Sequence, residues 1–144
     1  HCLWPIPRAP IPVRRPAAAE RQFLRSIDIN LLILKNYNIN AIICLQPMLV
    51  LRNKDLLSQE ETDFLHRDDR VQILYPIVRD ELMSLTNKHQ VPFIDMIPVF
   101  NSESYKKKQL FIDYCHLSPE GSKLTAEALF PKVEESIKKY ILNQ

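Results

Sequence analysis

From Ala17 to about Asn36, apolar residues recur at three- and four-residue spacing. Phe23, Leu24, Ile27, Leu31 and Leu34 fall on one stripe, and the pattern predicts an amphipathic helix. Asn38 and Asn40 are turn formers, and after them the period changes. Ala41-Ile42-Ile43-Cys44-Leu45 is a short unbroken apolar run closed by Gln46-Pro47, which predicts a strand buried in a parallel sheet. Ser58-Gln59-Glu60-Glu61 has the spacing of a capping box and opens a second helical stretch. That stretch runs through Phe64 and Leu65, meets charged residues from His66 to Arg70, and resumes. Ile77, Val78, Leu82, Met83 and Leu85 form its later apolar face, and Pro76 is expected to break or kink it. Val91 to Met96 reads as a second strand, whose Pro92 suits a strand start. Strand, helical crossover and strand make a βαβ unit, right-handed with parallel strands.

The ends of the chain differ in character. Asn101 to Gln109 is polar, with Lys106-Lys107-Lys108 read as a solvated loop. Ser118 as N-cap and Pro119 at the first helical position open a last helix, on which Leu124, Ala128, Leu129, Val133, Ile137 and Ile141 form a core-facing stripe. At the other end, Pro5, Pro7, Pro10, Pro12 and Pro16 interleave with Arg8, Arg14 and Arg15. Each proline lacks a donor and biases its predecessor away from the helix, so residues 1–18 read as a flexible proline-rich arm and 19–144 as the folded domain. The arm lacks the uninterrupted apolar core of a secretory signal. A start at His rather than Met reads as a fragment or a processed product.

Composition removes several function classes. A length of 144 residues, 46% hydrophobic and 25% charged, suits one ordinary globular domain. A formal charge of +2 argues for neither nucleic acid nor a membrane surface as partner, and no run approaches the ~18 apolar residues of a membrane span. Cys2, Cys44 and Cys115 are too few and scattered for a disulfide framework or a structural zinc site. Glycine is the anomaly. Average usage of about 7% predicts roughly ten, yet Gly121 is the only one. Dinucleotide loops, Walker loops and nucleophile elbows all need glycines where backbone turns tightly or approaches a ligand, so none can be present.

One stretch has the spacing of chemistry: Phe111-Ile112-Asp113-Tyr114-Cys115-His116-Leu117-Ser118-Pro119-Glu120-Gly121. An Asp three residues before a His can set the imidazole tautomer and stabilise its charged form. The same residues admit a structural reading, in which Asp113 and Ser118 cap loop backbone and His116 lies at the surface. Position favours chemistry, because α/β proteins place ligands beyond the carboxyl ends of their strands, and the nearby helix N-terminus favours a neutral imidazole. Gln46, at a strand end, either lines the substrate crevice or anchors the turn before Pro47. Cys115 reads as a small, partly buried thiol, its side chain pointing away from that of His116. Asp113, Cys115 and His116 lack a fourth metal ligand at sensible spacing, so no metal is assigned. His66 and His89 read as surface residues, and Asp95 as a ligand of loop backbone.

The Asp113-x-x-His116-Leu-Ser-Pro-x-Gly121 segment resembles the last block of the SGNH (GDSL-type) hydrolases. Ile43-Cys44-Leu45-Gln46-Pro47 is similar to that family's strand ending in a Leu-Gln-Pro turn, and Val91-Pro92-Phe93-Ile94-Asp95 to its penultimate strand. The resemblance covers roughly Arg21 to Gln144. It implies the C-terminal portion of an α/β domain, a three-layer α/β/α sandwich on a parallel, flavodoxin-like sheet whose N-terminal strands are missing. It further implies hydrolysis of small esters without metal or cofactor, with His116 as general base and Asp113 orienting it. The family's Gly-Asp-Ser block, its oxyanion glycine and its Asn block have no counterpart here. Ser26, Ser58, Ser84, Ser102 and Ser104 lack the required flanks, so the chain is expected to hydrolyse an ester only when completed by an upstream segment. The competing expectation is an inactive binding or structural module, associating with itself through an exposed sheet edge.

Overall fold

Residues 18–65 and 69–142 are described in a computed structural model of the chain. Helix α1 (Ala18–Asn36) forms where predicted; of its stripe Leu24 and Leu31 are buried, whereas Phe23 is exposed. It ends in a Schellman motif. The Asn38 N–H donates to the Lys35 carbonyl at 3.1 Å and the Ile39 N–H to the Leu34 carbonyl at 2.8 Å, with Asn38 left-handed at φ 54°. Strand β1 (Ile43–Leu45) follows. Ser58 then caps α2 (Gln59–Asp63) with the complete reciprocal capping box that its spacing predicts.

Helix α3 (Asp69–His89) carries the chain back and continues past Pro76, which costs one backbone hydrogen bond but does not end the helix. The same terminating motif recurs at its end. The Gln90 N–H donates to Asn87, the Val91 N–H donates to Thr86 at 2.9 Å, and Gln90 sits at φ 60°. Strand β2 (Phe93–Asp95) then pairs in parallel with β1 in the register Ile43↔Phe93, Cys44↔Ile94 and Leu45↔Asp95. A one-turn α4 (Ile97–Phe100) and the long α5 (Pro119–Leu142) complete the described chain. Helix α1 packs on α3, α3 on β2, and α4 on α5.

The three-layer α/β/α fold expected from the sequence is not what these residues build. Among the described residues the sheet has two strands of three residues each, and 67% of those residues are helical. Other apolar runs take different roles. Leu49–Leu51 closes into a 3-10 turn, and Phe111 makes only an isolated antiparallel bridge to Leu117. A two-stranded ribbon cannot bury both faces, so β1 is not the buried strand its composition suggests: Cys44 is exposed, and Ile43 and Leu45 are half-buried. The stripe of α5 is corrected likewise. Leu124 is buried, whereas Val133, Ile137 and Ile141 are exposed. The proline-rich arm lies outside the described residues, apart from Ala18 at the start of α1.

The main core lies just past the carboxyl ends of both strands. Leu49, Leu57, Met96, Phe100, Leu110, Phe111 and Leu124 are buried together, with the Phe100 and Phe111 rings tilted at 54° and centred 5.3 Å apart. Full burial of such side chains contributes about 1.5–3 kcal/mol each. This is the floor on which the Asp113–His116 loop stands.

Candidate active site

The loop is a tight excursion between two anchored points. The Ile112 N–H donates to the His116 carbonyl at 3.0 Å and the Ser118 N–H to the Leu110 carbonyl at 2.9 Å, closing residues 110–118 into a hairpin. The Ser118 hydroxyl donates to the Gln109 carbonyl at 2.7 Å and accepts from the Gly121 N–H at 3.0 Å, capping α5 as its position predicts. The single glycine has a steric cause here. A Cβ on Gly121 would fall inside the van der Waals shell of the Leu110 carbonyl oxygen and 3.1 Å from its carbon, so the first turn of α5 passes the hairpin only without a side chain.

Inside that frame Asp113 divides its two oxygens. Oδ1 accepts from the backbone N–H groups of Cys115 at 2.8 Å and His116 at 2.7 Å, while Oδ2 meets His116 Nδ1 at 2.6 Å. The structural and chemical readings of Asp113 are therefore both met by one carboxylate. Its pKa is drawn down to about 2, first by the Cys115 N–H, then by the His116 N–H, then by the imidazole itself. A carboxylate so held stays ionised at neutral pH and accepts a proton-bearing Nδ1, which leaves the lone pair of a neutral imidazole on Nε2. His116 is 68% exposed through its side chain.

Gln46 reaches the loop from the end of β1. Its Nε2 donates to the Cys115 carbonyl at 2.7 Å, and the Leu49 N–H donates to the Tyr114 carbonyl at 3.1 Å. The amide nitrogen of Gln46 thus positions the Asp-His turn. Cys115 does not point away as expected: the turn brings its Sγ to 3.7 Å from His116 Nδ1. The Tyr114 phenol is raised above its ordinary range by its hydrogen bond to Cys115 and by the Cys115 and Asp113 charges. Asp95 serves backbone as read, accepting from the Ile97 N–H at 3.0 Å, and also from the Tyr75 hydroxyl at 2.9 Å. Burial and that carboxylate push the Tyr75 phenol far upward.

Two residues that hold the site were missed as such in the sequence. Arg52 and Glu61 form an ion pair whose side chains are both fully buried. Glu61 Oε1 accepts from the Leu110 N–H at 2.8 Å and the Phe111 N–H at 3.0 Å, at the base of the hairpin. Arg52 donates to the carbonyls of Phe100 at 3.2 Å, Lys108 at 3.0 Å and Tyr105 at 2.6 Å, so the backbone of the polar stretch after α4 is tied down while its three lysines are exposed to solvent as expected. The capping box announced Glu61 but not its second task, and a lone Arg in a loop carries no periodic signal.

His89 is corrected as well. It is buried, with Nε2 2.6 Å from Asp28 Oδ1, and Lys88 Nζ lies 3.0 Å from the same oxygen. His66 falls outside the described residues. A cleft of about 620 Å³ lies at the amino ends of the strands, bordered by Leu34, Asn38, His89, Pro92, Lys132 and Glu135, and does not include the Asp-His pair. Within it Glu135 pairs with both Lys132 and Lys139.

No serine hydroxyl among the described residues hydrogen-bonds to His116. Comparison with known proteins adds no family to this geometry: no family model and no curated protein matches the chain. The arrangement itself is an oriented imidazole on a carboxylate, with no serine on it among the described residues.

Proposed function

We propose that Asp113 and His116 are the acid–base pair of an acyl-ester hydrolase of SGNH type, whose serine nucleophile and oxyanion donors come from polypeptide outside these 144 residues. The observation that carries the reading is the 2.6 Å contact from Asp113 Oδ2 to His116 Nδ1 in a loop whose Nε2 side is open. Nε2 takes the proton of the attacking hydroxyl, Asp113 stabilises the resulting imidazolium, and His116 returns the proton to the leaving alkoxide. The substrate is a small ester, and Gln46 acts by fixing the Cys115 carbonyl beneath the imidazole. Each missing oxyanion donor costs about two to three orders of magnitude in rate. The isolated chain therefore lacks turnover.

The test uses p-nitrophenyl acetate. The chain alone and its His116→Ala variant give the same rate. In the complete enzyme, assembled with the serine-bearing polypeptide, Asp113→Asn lowers kcat by about 10⁴ and leaves KM unchanged. Turnover that survives His116→Ala in that form refutes the assignment. His116-dependent turnover by the chain alone refutes the placement of the nucleophile.

A non-catalytic reading, association with a second copy, is favoured by one surface. Among the described residues strand β1 has a neighbour on one side only, and Ile42 lies beside exposed Val133 and Ile137 of α5. An open edge bordered by apolar side chains invites pairing. No described helix is long and apolar enough to cross a membrane. Light scattering with Ile137→Glu decides this reading: the chain gives the mass of a dimer, and the variant that of a monomer.

A further inference from the structure

The side chains of Asp113, Cys115 and His116 do more than support the imidazole. One carboxylate oxygen, Sγ and one ring nitrogen lie within 4.8 Å of one another. Three donors of three kinds on one tight turn is the ligand set of a zinc-type ion, and three protein ligands with an open fourth position is the arrangement of non-structural zinc sites. The sequence showed only that a fourth ligand was absent. The structure shows that the three present converge.

The distances fit. Bond lengths of about 2.3 Å to sulfur and about 2.0 Å to nitrogen, at tetrahedral angles, put the two donors roughly 3.5 Å apart. Sγ and Nδ1 of His116 are 3.7 Å apart. The same lengths separate nitrogen from carboxylate oxygen by about 3.3 Å, so the 2.6 Å Asp113–His116 hydrogen bond would open by a fraction of an ångström as the ion replaces its proton. Little backbone movement is needed, because the Asp113 Oδ1 bonds to the Cys115 and His116 N–H groups and the Gln46 bond to the Cys115 carbonyl already hold the turn. Asp113 and Cys115 are half-buried and His116 is exposed, so an ion can enter from solvent.

We propose that Asp113 Oδ2, Cys115 Sγ and His116 Nδ1 form an open binding site for a thiophilic divalent cation of the Zn²⁺ type. Binding releases the thiol proton of Cys115 to solvent, and the one ring proton of neutral His116 passes from Nδ1 to Nε2, which frees the Nδ1 lone pair for the ion. The metal-bound imidazole then has no lone pair to act as a base. Metal binding and general-base function compete for one nitrogen. The site itself does not depend on the hydrolytic reading.

The experiment titrates the reduced full chain with Co²⁺ and then Zn²⁺. Co²⁺ gives a near-ultraviolet thiolate-to-metal charge-transfer band, and Zn²⁺ displaces it. Cys115→Ser abolishes the band, and His116→Ala and Asp113→Ala weaken Zn²⁺ binding measured by calorimetry. Changes to outer-shell partners cost about 10–100-fold in metal affinity, and loss of a ligand costs at least as much. Circular dichroism confirms that the exposed-loop variants remain folded, and Cys44→Ser retains the band. Absence of a band in the parent chain overturns the proposal, as does a band that follows Cys2 or Cys44 instead of Cys115.

Discussion

Replacing Glu61 by Ala is the most demanding test of how the site is held. Its carboxylate is 0% exposed and faces the Arg52 guanidinium, the Ser58 N–H at 3.0 Å, and the Leu110 and Phe111 N–H groups at 2.8 and 3.0 Å. Removing one partner of a buried ion pair costs about 3–5 kcal/mol, since the other charge is left uncompensated. Burial already pulls the Arg52 pKa downward, opposed by Glu61, and that opposition disappears. Each backbone N–H left without an acceptor adds about 1–3 kcal/mol, but these penalties overlap through shared relaxation. A total near ~5 kcal/mol follows, a large share of the ~5–15 kcal/mol that stabilises an ordinary domain. With a urea m-value of about 2 kcal/mol/M, the midpoint falls by roughly 2–3 M. Urea unfolding followed by circular dichroism reads this directly, with the exposed Glu127→Ala as a control within about 0.5 kcal/mol. Exchange of the Leu110 and Phe111 amides should accelerate at sub-denaturing urea. A Glu61→Ala midpoint shift under about 0.5 M refutes the assignment of these bonds as the anchor of the hairpin.

Three further outcomes follow from particular contacts. Gly121→Ala forces α5 away from the Leu110 carbonyl, and overpacking of this kind costs about 1–3 kcal/mol, visible as a lowered melting temperature. Gln46→Ala removes the donor to the Cys115 carbonyl and costs about 1 kcal/mol; it also broadens the His116 ring resonances, and unchanged ring signals would count against a positioning role. Asp28 is held below its ordinary 3.8 by His89 first and then Lys88. Its folded value lies below its unfolded one, so its contribution is present above pH 3.8 and is lost as pH falls further. The melting curves of the parent and Asp28→Asn proteins should therefore converge only in that acid range.

Local patterns were legible where one segment decides its own conformation. The helix over α1, the Ser58–Glu61 capping box and the N-cap at Ser118 all follow from nearby residues, and the parallel pairing of the two short strands follows from the helical crossover between them. Asp113 and His116 were legible because both ends of their hydrogen bond lie within one turn. The layer count was not. Whether an apolar run such as Leu49–Leu51 becomes a strand depends on a neighbour to pair with, and that neighbour is set by tertiary context. Arg52, Glu61 and the His89–Asp28 pair were hidden for the same reason: their partners are separated in sequence, and single charged residues leave no period. Cys115 was misjudged because extended-chain geometry was assumed where a tight turn occurs.

The left-handed turns at Asn38 and Gln90 have a consequence for how this chain can be altered. Both use side-chain-bearing residues where glycine is usual, and both deliver the backbone into the amino ends of the strands. An L-residue in that conformation costs about 1–2 kcal/mol over glycine. The reactive turn stands beyond the opposite ends of the same strands. These two strained turns and the reactive turn thus lie at opposite poles of one βαβ unit, so relief of strain at Gln90 can offset a destabilising change beside His116 without disturbing its geometry.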